Sequence, residues 1–290
     1  MADLLNSPVL NQIQVVYEDE HLLAINKPAG VVVNEAKTVT EATIQGWMRH
    51  RLGEEQGIAT IIKNRQQWQT LVPTDFSDEY GTPEEIYQLR QGIVHRLDKD
   101  TSGVLLLAKD PGTLVNLLAQ FKNRQTRKKY LCLVHGKFKV ELSSIDLPIV
   151  RSNLNRAKFA VAIDGKSALT YYRVVDYFSH IDETQLKQTN QKIKLKDLRR
   201  YQQGFSLLEC LPKTGRTHQI RVHLAHIKHP LVADTVYGGE KRSQLDKTWC
   251  PRQFLHAAEL QYCSPQTGTK QVAKAELAQD LLDALKLLKK

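Results

Sequence analysis

No run of apolar residues in this chain approaches the ~20 that a membrane-crossing helix needs, which argues against an integral membrane protein. A leader is missing too. MADLLNSPVLNQIQ is acidic early and has no basic segment followed by an apolar one, so the expectation is an unprocessed protein of the cytoplasm. Cysteine is scarce: Cys132, Cys210, Cys250 and Cys263 are scattered, without the paired short spacing of a zinc site or the density of a small secreted scaffold. Reduced thiols are the plain reading. Internal repeats are absent, which excludes solenoids and propellers. Acid is also in deficit, with 31 Asp and Glu against 41 Lys and Arg. The resulting formal charge of +10 favours a polyanionic partner through long-range attraction and counterion release, although a merely basic surface would give the same sum.

What is present suffices for a substantial core: 290 residues, 41% of them hydrophobic. We read a short extension over residues 1–12 and then one catalytic domain over 13–290. Ile13 to Tyr17 alternate as a strand, EDEH supplies a turn, and HLLAINKP returns as a second strand, which makes a hairpin. In KPAG the proline lacks a backbone donor and the glycine tolerates unusual dihedrals, so a tight bend should leave Lys27 at a strand end before VVV resumes. ATIQGWMRHRL predicts a short helix, and residues 53–90 read as a polar, poorly specified insertion. Leu114, Leu117, Leu118 and Phe121 fall at helical spacing after the start signal Asp110-Pro111. KKYLCLVHGKF predicts a strand ending at Gly136, and ALTYYRVVDYF and FSLLECLP predict two more. Between those two, residues 179–203 are polar enough for an extended or partly disordered loop. Leu277, Leu281, Leu285 and Leu288 predict a closing amphipathic helix.

Chemistry concentrates in two segments. HRLDKDTSG places Asp98 among charged neighbours on a constrained loop just before the apolar VLLLA, where rigid surroundings could hold a reacting group. A surface turn with local ion pairs is the bland alternative. DKDT also permits a magnesium-dependent phosphatase, with Asp98 as nucleophile and Asp100 as acid, but that nucleophile should follow a buried strand and here the strand comes afterwards. In the second segment, KTGRTHQIRVHLAHIKHPLVAD, the spacing of Ile220, Leu224 and Ile227 predicts a helix capped by Thr217 and presenting Arg216 and Arg221 near its start. Its four histidines, His218, His223, His226 and His229, do not put three on one narrow face with a carboxylate, so zinc is not expected.

INKPAGVVV, IVHRLDKDTSGVLLLAKD, RKKYLCLVHG, LPKTGRTHQIRVHLAHIKHPLVADTVYG and FLHAAEL, in this order over residues 13–275, together resemble the pseudouridine synthases that act on ribosomal and transfer RNA. The resemblance implies a mixed α+β fold with a mainly antiparallel central sheet divided by a catalytic cleft. It implies isomerisation of a uridine in RNA, ribosomal first and transfer RNA second, with no cofactor, no metal and no membrane, by a monomer. By the same resemblance Asp98 is the catalytic carboxylate, as nucleophile or as base, and Tyr130 is the tyrosine whose ring stacks on uracil and whose hydroxyl helps remove a proton. Arg221 is the basic partner that keeps Asp98 ionised in a desolvated pocket. A uridine in folded RNA must be extruded to reach such a group, and Arg96 matches the residue that fills the vacated space. Lys27, Arg127, Lys128, Lys129 and Arg216 would meet phosphates. The extra RNA-binding module that some relatives carry ahead of the catalytic region is expected to be absent. An inactive RNA-binding protein on the same fold is a further alternative, disfavoured by the intact Asp98, Tyr130 and Arg221 set.

Overall fold

A computed structural model describes residues 7–55, 57–153, 155–188 and 195–290. Residues 1–6 of the 1–12 extension and the middle of the 179–203 segment, residues 189–194, lie outside the described residues. In chain order the elements begin with β1 (Gln14–Glu18), β2 (Leu22–Lys27), α1 (Ile44–Glu55), α2 (Ile58–Lys63), α3 (Arg65–Trp68), α4 (Pro83–Arg90), β3 (Ser102–Ala108) and α5 (Pro111–Lys122). There follow β4 (Arg127–His135), β5 (Leu142–Asp146), β6 (Ile149–Arg151), β7 (Phe159–Val161), β8 (Leu169–Phe178), β9 (His180–Ile181), α6 (Glu183–Gln188) and α7 (Leu195–Leu198). The chain closes with β10 (Phe205–Pro212), α8 (Gln219–His226), α9 (Glu240–Asp246), β11 (Leu255–Cys263), β12 (Lys270–Lys274), α10 (Gln279–Lys286) and β13 (Leu288–Lys289). This mixture of helices and mainly antiparallel strands is the α+β class expected. Its contacts gather into two compact units, one running to Arg127 and including Glu259–Glu276, the other made of Lys128–Ala258 and Leu277–Lys290.

In the first unit, β1 and β2 form the expected hairpin, and β2 continues antiparallel onto β3 with Lys27 opposite Gly103. β3 is buried over its whole length, as its unbroken apolar run implies. Asp110 caps α5 by accepting from Thr113 N at 2.8 Å, and Pro111 fills the first turn, where its missing donor costs nothing. The 53–90 stretch, read from sequence as a polar and poorly specified insertion, has defined structure. It forms short helices whose Trp68 and Tyr87 are fully buried, with Trp68 Nε1 donating to Ile61 O at 3.1 Å. Gly112 is needed where this segment meets α5, because a Cβ there would lie 2.1 Å from Trp68 O.

In the second unit, β4, β10, β8 and β5 pair antiparallel in that order. One core cluster joins Cys132, Val134, Leu208 and Cys210 from β4 and β10 to Ile220 and Leu224 of α8, which fixes that helix against the sheet. Another joins Leu133, Phe205, Trp249 and Phe254 to Leu281 and Ala284. α10 is shorter than predicted: it stops at Lys286, and Leu288 enters β13, which pairs with β9. Leu186 and Tyr201 are buried, so the described flanks of the 179–203 segment pack against the core; the Tyr201 hydroxyl donates to Asp246 Oδ1 at 2.9 Å. All four cysteines are free thiols.

Candidate active site

Asp98 lies in the first unit on a loop that runs beside β3 before turning into it. Ala108 N donates to Gly92 O at 2.8 Å, and Ile93 bridges Leu107. Gly92 is the only residue type that fits, since its φ is +80° and a Cβ would lie 2.3 Å from Ala108 O. His95 Nε2 accepts from Leu106 N at 3.0 Å, which puts the proton of the neutral ring on Nδ1, and the ring stacks on Phe121 at 4.7 Å. Beyond the aspartate, Lys99 O accepts from Gly30 N at 2.9 Å, and Thr101 N donates to Asp98 O at 3.1 Å. Leu97 is buried, Asp98 half-buried, and Arg96 and Lys99 exposed. The loop that carries Asp98 is therefore held from both flanks, with Arg96 exposed on the same loop.

Lys27 corrects an expectation. It is fully buried, and its ammonium donates to Pro28 O at 2.8 Å, Val31 O at 2.9 Å and Lys99 O at 3.0 Å. An ammonium has three N–H donors, and three carbonyls take them, so Lys27 ties the KPAG bend to the Asp98 loop instead of meeting a phosphate.

In the second unit, the segment after β10 folds back before entering α8. The residue at the helix start is His218, in a left-handed conformation with φ of 56°, and Thr217 makes no cap; this corrects the predicted start. The side chain of Gln219 does the fastening instead. Its Oε1 accepts from Thr214 Oγ1 at 2.6 Å and Arg216 N at 3.1 Å, while its Nε2 donates to Leu169 O at 3.0 Å and Thr170 Oγ1 at 2.9 Å. Lys128 Nζ donates to Thr214 O at 3.1 Å and Arg216 Nε to Ser167 O at 3.0 Å, so both cations are tied to the backbone of the segments that Gln219 fastens. Burial pushes the Lys128 pKa down to about 8. Lys129 lies 3.8 Å from Glu209, which Arg173 also engages, and Arg127 is exposed. Tyr130 is half-buried on β4, opposite Cys210.

Arg221 is buried. Its Nε donates to Asp234 Oδ2 at 2.8 Å and one terminal nitrogen to Asp234 Oδ1 at 2.9 Å, a bidentate pair. Asp234, wholly buried, also accepts from Val236 N and Tyr237 N, and the guanidinium sits over the Tyr237 ring at 5.2 Å. The Tyr237 hydroxyl accepts from Phe159 N at 3.0 Å and lies 2.9 Å from His218 Nδ1. Sequence reasoning gave Arg221 no carboxylate other than Asp98 and missed Asp234 and Tyr237. The signal was in HPLVADTVYG, where an acid directly follows an apolar run. The histidines go to separate partners: His223 to Thr170 and Leu147 O, and His229 to His135 O.

The Asp98 loop belongs to the first unit and Arg221, at the start of α8, to the second, on a mainly antiparallel α+β architecture. The RNA pseudouridylate synthase family model matches residues 21–226, which include both the Asp98 loop and α8, and this chain belongs to that family. A ribosomal large subunit pseudouridine synthase D of Zymomonas mobilis is 34% identical over 98% of this chain and 75% of its own length. One from Pseudomonas aeruginosa is 34% identical over 96% of this chain and 72% of its own. Of solved structures, human RNA pseudouridylate synthase domain containing 4 superposes with a TM-score of 0.61 at 19% identity, covering 95% of this chain and 94% of that one, which shows the shared fold. The protein is accordingly an RNA pseudouridine synthase, an isomerase. The phosphatase alternative has no support, and Asp98 and Asp100 indeed precede β3, the wrong side of the strand for it.

Proposed function

We propose that this enzyme isomerises specific uridines of ribosomal RNA, transfer RNA being the alternative target, as a monomer in the cytoplasm. The names of the relatives in Zymomonas mobilis and Pseudomonas aeruginosa support the ribosomal substrate. For the chemistry, one observation supports the reading: the loop carrying Asp98 is anchored on both flanks, at the His95 ring by Leu106 N and at Lys99 O by Lys27 and Gly30, which suits a loop that presents a reacting carboxylate.

The uridine swings out of its helix, and Arg96 fills the space it leaves. Asp98 meets the ribose as the N1–C1′ bond breaks, either bonding to the sugar or taking a proton to leave a glycal; charge developing at the anomeric carbon favours an ionised carboxylate in both cases. The freed uracil turns and rejoins C1′ through C5, as the Asp98–C1′ bond breaks or, by the glycal route, as the proton returns from Asp98 to C2′. The C5 proton departs with help from the Tyr130 hydroxyl, and N1 ends protonated, so atoms balance without a co-reactant. Arg221 is the basic member of the proposed set, oriented by its bidentate pair with Asp234. Arg127, Lys128, Lys129 and Arg216 orient the RNA backbone.

Purified protein incubated with large-subunit ribosomal RNA, with and without chelator, tests this. Chelator-resistant pseudouridine formation by the wild type, and binding without product by Asp98→Asn, are expected. Normal turnover by Asp98→Asn would remove the carboxylate from the mechanism.

A further inference from the structure

The second unit carries a hollow whose wall shares only Tyr237 with the contacts described for Arg221. It is an open concavity of about 690 Å³ whose wall includes Arg200, Lys228, Tyr237, Glu240, Lys241 and Arg242. Four exposed cations face one carboxylate there. Arg200 lies 3.8 Å from Asp197, whereas Lys228, Lys241 and Arg242 form no salt bridge among the described residues. Like charges gathered on a concave wall repel one another and focus a positive potential, which a bound anion relieves. The backbone is open as well: Gly239 has φ of +82°, and nothing lies within 4 Å of where its Cβ would be.

The chemistry of the wall selects the anion. The cations come from three separate chain segments, around positions 200, 228 and 241, a spread that suits successive phosphates better than one. Tyr237, the one aromatic, is committed through its ring to Arg221 and through its hydroxyl to His218 and Phe159, so the wall is poorly equipped to stack a base. Contacts of this kind position a nucleic acid without reading its sequence. We infer that the hollow takes the phosphodiester backbone of the substrate RNA at nucleotides other than the reacting uridine. The inference rests on RNA being the substrate and adds a binding surface to the residues already assigned.

The triple variant Lys228→Gln, Lys241→Gln, Arg242→Gln tests it against a control triple of equal charge change at exposed positions, Lys63→Gln, Lys122→Gln, Lys270→Gln. Each phosphate contact contributes roughly 0.7–0.9 to the slope of log affinity against log salt, so the hollow triple should flatten that slope by about 2–3. Its loss on structured RNA should fall mainly on KM, and the control should lose less in both measures. Glu240→Gln should tighten RNA binding, which guards against a triple that fails for lack of folding. Inorganic phosphate titrated at constant ionic strength should not displace RNA from the wild type. Equal effects of the two triples, or weaker binding by Glu240→Gln, would overturn the inference, and displacement by phosphate alone would mark the hollow as a single-anion site. Failure of the wild type to form pseudouridine would instead sink the proposed function.

Discussion

Asp234 is the side chain whose removal best separates positioning from chemistry. It holds Arg221 by two hydrogen bonds in a buried setting, and Asp234→Asn keeps the shape while leaving the guanidinium without its fixed counter-charge. Breaking one side of a buried pair costs about 3–5 kcal/mol, which denaturant unfolding would read. Turnover should fall as well, because Arg221 loses its orientation. Tyr130→Phe preserves a stacking ring, worth ~1–3 kcal/mol for a base, and removes only the hydroxyl; we expect kcat to drop with little change in RNA affinity, and wild-type turnover would exclude the hydroxyl from proton removal. Lys128 adds a pH signature. Burial lowers its pKa to about 8, so its charge is present below that value and lost as pH rises through it, earlier than for an ordinary lysine. RNA affinity should weaken over that range, and Lys128→Arg should abolish the effect. Asp98, Tyr130 and Arg221 could be proposed from sequence because each sits in a dense motif. The role of Lys27 was not, since a lysine reads as surface by default and only the folded KPAG bend brings three carbonyls around its ammonium.

Asp110 links two elements at once, capping α5 and lying 2.8 Å from His21 Nδ1 beside β2. The hydrogen bond to Asp110 raises the His21 pKa above its ordinary 6.5, against the opposing effect of burial. Because the folded value is raised, the stabilisation is complete below pH 6.5 and is lost as pH climbs through the raised value. Thermal unfolding followed across that range should show stability declining, and His21→Gln should flatten the dependence. Loss of the cap alone, as in Asp110→Ala, should cost about 0.5–2 kcal/mol, with the orphaned His21 adding to it. Elements with local signals could be read from sequence: the hairpin from its alternation, and α5 from its cap and proline. The helices within 53–90 could not, because what stabilises them is the burial of Trp68 and Tyr87 by residues distant in sequence. α10 was overextended for a related reason: the heptad-like leucines continue to Leu288, but pairing of β13 with β9 overrides helical spacing there.

At the scale of the molecule, the formal charge of +10 supplies attraction to RNA without choosing a uridine. In the proposed mechanism a nucleotide leaves its helix to meet Asp98 on its anchored loop, and the other proposed roles depend on that carboxylate. Pseudouridine mapping at single-nucleotide resolution, on ribosomal RNA from cells lacking this enzyme and supplied with either the wild type or Asp98→Asn, tests it most directly. The account predicts sites that vanish without the enzyme, return with the wild type and stay absent with Asp98→Asn. Restoration of the same sites by Asp98→Asn would contradict it.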